Sequence, residues 1–243
     1  MSPSARPSLR DALASPHSKR LYVRRLFSTI ADRYDLITVL LSFGQDRQWK
    51  RRLSELSRAS PGTRALDVAC GTGDLAFALQ ARGAAVTGLD VTHRMLQLAR
   101  ARVTGDVGHP HFVVGDMMAL PFQDGEFDLV TAGYGLRNVP ELAPAIDELQ
   151  RVLKPGGMLL SLDFDRPANR VVRALYLGYL TVIGSALGFL LHRDQDTYRY
   201  IPESIRRYPG AAAVNALIMS HGFSSSDCHP VLGGLMAIHV AVK

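Results

Sequence analysis

Apolar and polar positions change period as the chain is read. Residues 21–30 and 36–41 space their apolar side chains at helical intervals, and 49–56 continue in short amphipathic pieces until Pro61-Gly62 breaks them. This predicts a helical cap at the amino end. From residue 64 the pattern turns to short apolar runs alternating with amphipathic segments. The runs at 64–68, 85–90, 111–114, 127–132 and 158–164 predict strands. Between them, one helix carries Leu75, Ala78 and Leu79 ahead of Gly83, and a second follows Thr92 with Met95, Leu96 and Ala99 inward. A third, over 141–153, is closed by Lys154-Pro155-Gly156-Gly157, a basic, proline and glycine stop. Such alternation implies a mostly parallel sheet with right-handed crossovers.

The carboxyl third departs from that rhythm. Residues 165–210 form an insertion after the fifth strand, then come a helix over 211–220, a turn at Gly222, and strands over 223–229 and 235–242. Two closing strands without a helix between them predict an antiparallel hairpin at the sheet edge. An insertion of that length suggests a lid. The expected fold is therefore α/β and Rossmann-like: a mostly parallel seven-stranded sheet with an antiparallel edge hairpin, an amino-terminal helical cap and a helical insertion after strand 5.

Composition refines this. At 243 residues and 47% apolar content the chain suits one domain with a sizeable core. Residues 1–18 are expected as a flexible basic tail, followed by a single domain over 19–243, with 19–60 the cap and 165–210 the lid. Arg6, Arg10, Lys19, Arg20, Arg24 and Arg25 face only Asp11 before Phe27, so the amino end can meet anionic lipid, nucleic acid or water. Cys70 and Cys228 lie far apart without zinc or C-x-x-C spacing, which predicts structural thiols and no metal site. Residues 174–191 carry no charge and lie between Arg173 and His192-Arg193. Their length is at the bottom of the spanning range, and Gly178, Gly184 and Gly188 interrupt them, so a buried or interfacial helix is expected rather than a membrane span.

Candidate chemistry concentrates at strand ends. Gly71-Thr72-Gly73 follows the first strand and Asp90 ends the second, an arrangement in which backbone approaches a ligand and a carboxylate takes a ribose diol. Gly71-x-Gly73-x-x-Ala76 also satisfies a dinucleotide fingerprint. Asp67 and Asp74, however, put two carboxylates where a pyrophosphate would sit, and favour a cationic ligand such as S-adenosylmethionine (SAM). Asp67 and the turn are assigned its amino-acid end, Asp90 the ribose, and Asp116 with Met117 the adenine. Past the fourth strand, Gly133-Tyr134-Gly135-Leu136-Arg137-Asn138-Val139 offers close approach and the donors Arg137 and Asn138. Asp196 to Ile205 packs polar and aromatic groups as a substrate wall would.

With those residues laid out, the chain resembles the ubiquinone/menaquinone biosynthesis C-methyltransferases, class I SAM enzymes that methylate a ring carbon of a prenylated hydroquinone. The resemblance runs from Phe27 to the carboxyl end. It includes Tyr34-Asp35, Ser42-Phe43-Gly44, Arg47-x-Trp49-Lys50, Gly135-Leu136-Arg137-Asn138-Val139, Arg151 through Gly157, and Tyr198-Arg199-Tyr200 through Ser204-Ile205. It implies a single SAM-dependent methyltransferase domain with SAM contacts at Thr72, Asp90, Asp116, Met117 and Gly133. Arg137 with Asn138 is expected to stabilise a phenolate or to polarise a water, while Tyr34, Tyr134, Tyr198 and Tyr200 wall the ring. The expected reaction is C-methylation of a prenylated hydroquinone ring in menaquinone or ubiquinone biosynthesis, with demethylmenaquinol to menaquinol favoured. The alternatives are another lipid or phenolic acceptor, or a SAM-binding partner of a quinone-biosynthesis complex that does no chemistry. The expected setting is cytoplasmic with peripheral membrane contact and no nucleic acid, and a homodimer is left open. Thr38, Val39 and Asp46 stand where the family pattern has Asn, Asp and His.

Overall fold

The apolar runs assemble into one sheet: β1 (Arg64–Val68), β2 (Ala85–Asp90), β3 (His111–Val114), β4 (Phe127–Gly133), β5 (Leu153–Phe164), β6 (Ser225–Val231) and β7 (Met236–Val242). In the computed structural model, which describes residues 9–105, 108–167, 169–194 and 197–243, the strand order is β3-β2-β1-β4-β5-β7-β6. The first five strands pair in parallel, while β7 pairs antiparallel with both β5 and β6. This is the expected sheet with its edge hairpin. Its order reverses at β1/β4, so the carboxyl ends of those strands frame a crevice.

Helices cover both faces. These are α1 (Leu9–Ala12), α2 (Pro16–Ile30), α3 (Tyr34–Leu41), α4 (Asp46–Leu56), α5 (Asp74–Gln80), α6 (His93–Ala101), α7 (Leu142–Val152), α8 (Arg170–His192), α9 (Tyr200–Arg207) and α10 (Ala211–Ser220). Neighbouring strand residues serve opposite layers, as a period of two requires. Val130 and Leu159 pack against Ile146 and Leu149 of α7 and Val214 and Ile218 of α10. Leu129 and Leu160 join Trp49 and Leu53 of α4, Leu75 and Leu79 of α5, and Leu96 of α6. A third, smaller core joins Val23, Leu26, Ile30 and Ile37 of the cap to Tyr198 and Tyr200 after α8, so cap and insertion make one roof.

Three expectations change. The tail expected through Ser18 is helical from Leu9, because Leu13 buries into the roof core and Ser15 caps α2 in a capping box with Ser18; residues 1–8 lie outside the described residues. Lys154-Pro155-Gly156-Gly157 is not a free stop but the start of β5, accommodated by a register shift between Phe127↔Leu153 and Leu129↔Met158. The cation at the carboxyl end of α7 is instead Lys243, whose Nζ donates to the carbonyls of Gln150 and Leu153 at 2.7 Å. Lys154 pairs with Asp128. Lastly, α8 is uncharged from Ala174 to Leu191 but mostly unburied. Only Leu180, Gly184 and Gly188 are buried along it, while Val171, Leu175, Val182, Phe189 and Leu190 are exposed. It is long and apolar enough to cross a membrane, and 17% of its most apolar window is buried, so it is no core helix.

Candidate active site

The turn after β1 places backbone and carboxylates around one crevice. Gly71 (φ 55°) and Gly73 (φ 88°) take left-handed conformations that favour glycine. Asp90 ties the turn to β2, its Oδ2 accepting the Gly71 N–H at 2.9 Å and its Oδ1 the Thr92 N–H at 2.7 Å. Each oxygen keeps a lone pair for a diol. Asp67 lies deeper. Its Oδ1 accepts from the Thr131 hydroxyl at 2.8 Å, while its Oδ2 is buried without a hydrogen-bond partner. Burial pushes this carboxyl up to about 7, against the Thr131 bond and the nearby Lys50 ammonium. An acceptor left open in so enclosed a place fits a ligand ammonium.

The crevice runs from Asp67, Lys50 and Thr72 past Gly71, Asp90 and Gly133 to Asp116 and Met117. Most predicted SAM contacts therefore meet on one rim. Two need correction. Gly73 lines none of the cavity and shapes the turn, packed beside Phe77 and Phe112. The Thr72 hydroxyl donates to Asp35 of α3 at 2.7 Å, tying the turn to the cap. The electrostatic argument narrows too, because Asp74 is neutralised by Lys50 at 2.8 Å and Arg102 at 2.7 Å. Asp67 alone supplies an unpartnered carboxylate oxygen there.

Helix α2 roofs the crevice. Arg20 bonds Asp116 at 2.7 Å, and Lys19 Nζ donates to the carbonyls of Arg137 and Val139. With this roof down the main chamber is ≈ 90 Å³, well under the ~300 Å³ at which small-molecule pockets begin. The small volume leads to the expectation that α2, whose Arg20 and Val23 wall this chamber, lifts to admit a nucleoside-sized ligand. No periodic signal marks Lys19, Arg20, Lys50 or Thr92 as site residues in the sequence; their places in three dimensions identify them.

A second cavity, ≈ 460 Å³, lies between cap and insertion. Its walls are apolar and aromatic, including Phe27, Ile37, Trp49, Phe164, Tyr176, Leu180 and Ile201, with polar groups at Tyr134, Arg137 and Asn138. Tyr34 and Tyr134 border this cavity and both parts of the crevice, which fixes the junction between them. Tyr198 and Tyr200 line the larger cavity as expected, but their hydroxyls are engaged, with His192 at 2.8 Å and Asn138 Oδ1 at 2.9 Å. Asp196, the first residue of the expected wall, lies outside the described residues.

Arg137 is held rigidly. Its Nε donates to Asp163 at 3.2 Å, its Nη1 to Ser204, and its guanidinium stacks 4.7 Å from the Phe164 ring centroid. Asn138 proves to be a brace. Its Nδ2 donates to the Tyr134 carbonyl at 2.7 Å while its Oδ1 takes the Tyr200 hydroxyl, which fixes the amide and leaves one N–H and one lone pair. That brace supports Tyr134 at φ 59°, a left-handed conformation that costs a non-glycine residue about 1–3 kcal/mol. Cys70 is a buried wall residue whose thiol is pushed up by burial and by Asp67 and Asp90, which suits an inert thiol.

The family model of the ubiE/COQ5 methyltransferase family matches residues 15–243. The chain belongs to this family. It is 40% identical over 227 residues to the ubiquinone/menaquinone biosynthesis C-methyltransferase UbiE of Ectopseudomonas mendocina, covering 91% of this chain and 88% of that one. Against the UbiE of Pseudomonas entomophila it is 38% identical over 247 residues, covering 99% and 95%. Solved structures share the fold. A SAM-dependent methyltransferase from Thermotoga maritima, described as a possible histamine N-methyltransferase, aligns with TM-score 0.63 at 17% identity, covering 90% of this chain and 99% of that one. One from Mesorhizobium loti aligns with TM-score 0.58 at 16% identity, covering 79% and 96%. The family member described here is accordingly a SAM-dependent C-methyltransferase of the class I, Rossmann-like fold, and SAM is its methyl donor.

Proposed function

We propose that this family member methylates a ring carbon of a prenylated hydroquinone, with demethylmenaquinol as its preferred acceptor. The carrying observation is the ≈ 460 Å³ apolar cavity that meets the acid-edged crevice at Tyr34 and Tyr134. Arg137, Asn138 and Tyr134 put polar groups at the crevice end, hydroxyls such as those of Thr38, Ser42 and Thr197 lie elsewhere on the wall, and the largely apolar and aromatic lining favours a fused naphthoquinol ring over a benzoquinol with several polar substituents. The relatives' names cover both quinones and support the class of acceptor.

SAM supplies the methyl group; this chain orients, desolvates and adjusts charge. Asp67 and Asp90 receive the ammonium and ribose, and Asp116 with Met117 the adenine once Arg20 yields. A ring carbon becomes nucleophilic when a neighbouring hydroxyl ionises, and a free phenol does so only near pH 10. Arg137, fixed by Asp163 and Phe164, faces the cavity and stabilises the phenolate. Asn138 positions Tyr134 and Tyr200.

The exposed apolar side of α8 adjoins the cavity wall formed by Val172, Leu175, Tyr176 and Tyr179, and Phe43 projects beside it, stacked on Tyr179. This supports peripheral docking on the cytoplasmic face of a membrane, from which a polyprenyl tail is drawn up. The deciding assay incubates the protein with SAM and either demethylmenaquinol or the demethyl benzoquinol and reads product mass. A mass gain of one methyl on the naphthoquinol bears the proposal out. Turnover only on the benzoquinol or another phenol overturns the acceptor, and no turnover on any overturns the reading.

A further inference from the structure

Resting on that reaction, we infer that Tyr134 and Asp46 form a proton relay that takes the acceptor's hydroxyl proton out of the apolar cavity. Arg137 cannot be the base, because a guanidinium has no acceptor and stays charged. No carboxylate or imidazole lines the cavity among the described residues. The acids of the crevice are committed to the donor's side. What remains is a hydroxyl with a base behind it, and the junction tyrosine has one. Tyr134 OH donates to Asp46 Oδ1 at 2.6 Å, and Asp46 Oδ2 is held by Lys50 at 2.7 Å.

Asp46 is itself 2% exposed, yet it borders a polar surface cleft with Lys50, Asp74 and Arg102, outside the substrate cavity. The pair therefore bridges an apolar chamber and a solvated one. Tyr134 keeps a lone pair for the incoming proton, and its left-handed backbone, braced by Asn138 and by its N–H to the Leu162 carbonyl at 2.7 Å, holds the ring at the junction. One rival exists: Tyr198 also backs onto a base, His192. It borders only the large cavity and not the crevice, so it does not reach the reacting carbon.

The step balances. The ring hydroxyl's proton passes to the Tyr134 oxygen as Tyr134's own proton passes to Asp46, leaving a phenolate, an intact tyrosine and a protonated carboxyl. The ring carbon then bonds the methyl as the sulfur–methyl bond breaks with its electron pair on sulfur. Asp46 discharges its proton into the cleft, and the hydrogen on the methylated carbon shifts to the ring oxygen. One proton is released per methyl transferred.

The test measures kcat against pH for the full-length protein, Tyr134→Phe, Asp46→Asn, the double variant and Asp46→Glu, with SAM Kd and thermal melting alongside. Each single change should lower kcat at pH 7 by about a hundredfold, the low end of general acid–base effects, with SAM Kd within about twofold. The deficit should shrink as pH approaches the phenol's own ionisation near 10. The double variant should be no worse than the poorer single, and Asp46→Glu should recover part of the loss. Asp46 shares its cleft with Asp35, Arg47, Lys50, Arg51, Glu55, Asp74, Arg82 and Arg102 and acts on Lys50 and Tyr34 electrostatically, so Asp46→Glu, which keeps the charge beside Lys50, and Tyr134→Phe, which keeps Asp46 itself, separate loss of the relay from altered titration of these neighbours. A kcat unaffected in both singles, a deficit equal at all pH values, or a comparable pH-dependent loss in His192→Asn would overturn the relay while wild-type turnover stands. A wild type inactive on every quinol would sink the reaction and the relay together.

Discussion

Changing pH by one unit should change SAM affinity through a single carboxyl. Asp67 is buried, one oxygen lacks a partner, and burial lifts its carboxyl to about 7 in the ligand-free protein. An ammonium placed against Oδ2 stabilises the charged form and pulls the group back toward its ordinary range, so binding expels a proton. For a group titrating near 7, the fraction available as carboxylate falls from about one half at pH 7 to about one eleventh at pH 6, which predicts a Kd about fivefold weaker at pH 6. Over this window the ligand's own α-amine, ionising near 7.7–8.0, stays mostly protonated. Calorimetry in two buffers of different ionisation enthalpy should count about 0.9 protons released per SAM at pH 6 and about 0.5 at pH 7. Stability carries the opposite sign. The folded carboxyl lies above its unfolded value, so Asp67's own contribution to ligand-free stability is greatest below about pH 4 and declines by about 4 kcal/mol as pH rises to about 7, at about 1.4 kcal/mol per pH unit, while the lowered carboxyls of Asp74, Asp128 and Glu148 contribute with the opposite sign. Asp90, raised by the same burial, adds in the same direction as Asp67. Asp67→Asn should lose the pH slope of binding and melt higher than wild type at pH 8. A wild-type Kd constant between pH 6 and 7, or a slope surviving in Asp67→Asn, would refute the reasoning.

Three further outcomes follow from the geometry. Arg137→Ala should lower kcat by about 10²–10³-fold with SAM Kd near normal, and should cost about 3–5 kcal/mol in denaturant unfolding because Asp163 is left buried and unpaired; equal losses of turnover and SAM affinity would contradict the assignment. Leu175→Asp with Leu190→Asp should abolish flotation with anionic vesicles, at about 2 kcal/mol per apolar side chain withdrawn, and leave SAM binding intact; undiminished flotation would remove α8 as the docking surface. Arg20→Ala should speed SAM association in stopped flow, since the Arg20–Asp116 pair is one latch of the α2 roof and, being exposed at Arg20, is worth under about 1 kcal/mol; an unchanged association rate would mean that α2 does not gate entry.

Much of the framework was legible because it is local. The strands at 64–68, 85–90 and 111–114 match those observed, since parallel central strands are continuous apolar runs bounded by turn residues. Helix starts were set late, at 21 rather than Pro16 and at 49 rather than Asp46, because polar first turns carry caps and charges but no apolar stripe. The stretch 154–157 was read as a stop from its proline and glycines. Only its pairing with β4 and the backbone of Lys243, at the far end of the chain, reveals it as bulged strand.

The site divides along the same line. The positions of Asp67, Asp90, Asp116 and Gly133 on the crevice are legible in sequence, because topology alone carries residues at or just past strand ends to the sheet's carboxyl edge. Residues whose role depends on a partner are not. Thr72 and Asn138 look like ligand donors in one dimension, yet Asp35 and Tyr200, 37 and 62 positions away, bond the Thr72 hydroxyl and the Asn138 amide oxygen. Asp46 shows the converse. In sequence it was a departure from a family pattern, and its bond to Tyr134 spans 88 positions. A carboxylate behind a tyrosine and paired with a lysine offers the proposed relay a proton acceptor next to the junction. In the proposed relay the departure bears on the proton's route, and it reaches the crevice only through Tyr134 and Lys50, which Asp46 bonds, whereas Gly71, Asp90 and Gly133 are set there by the strand ends and the turn between them.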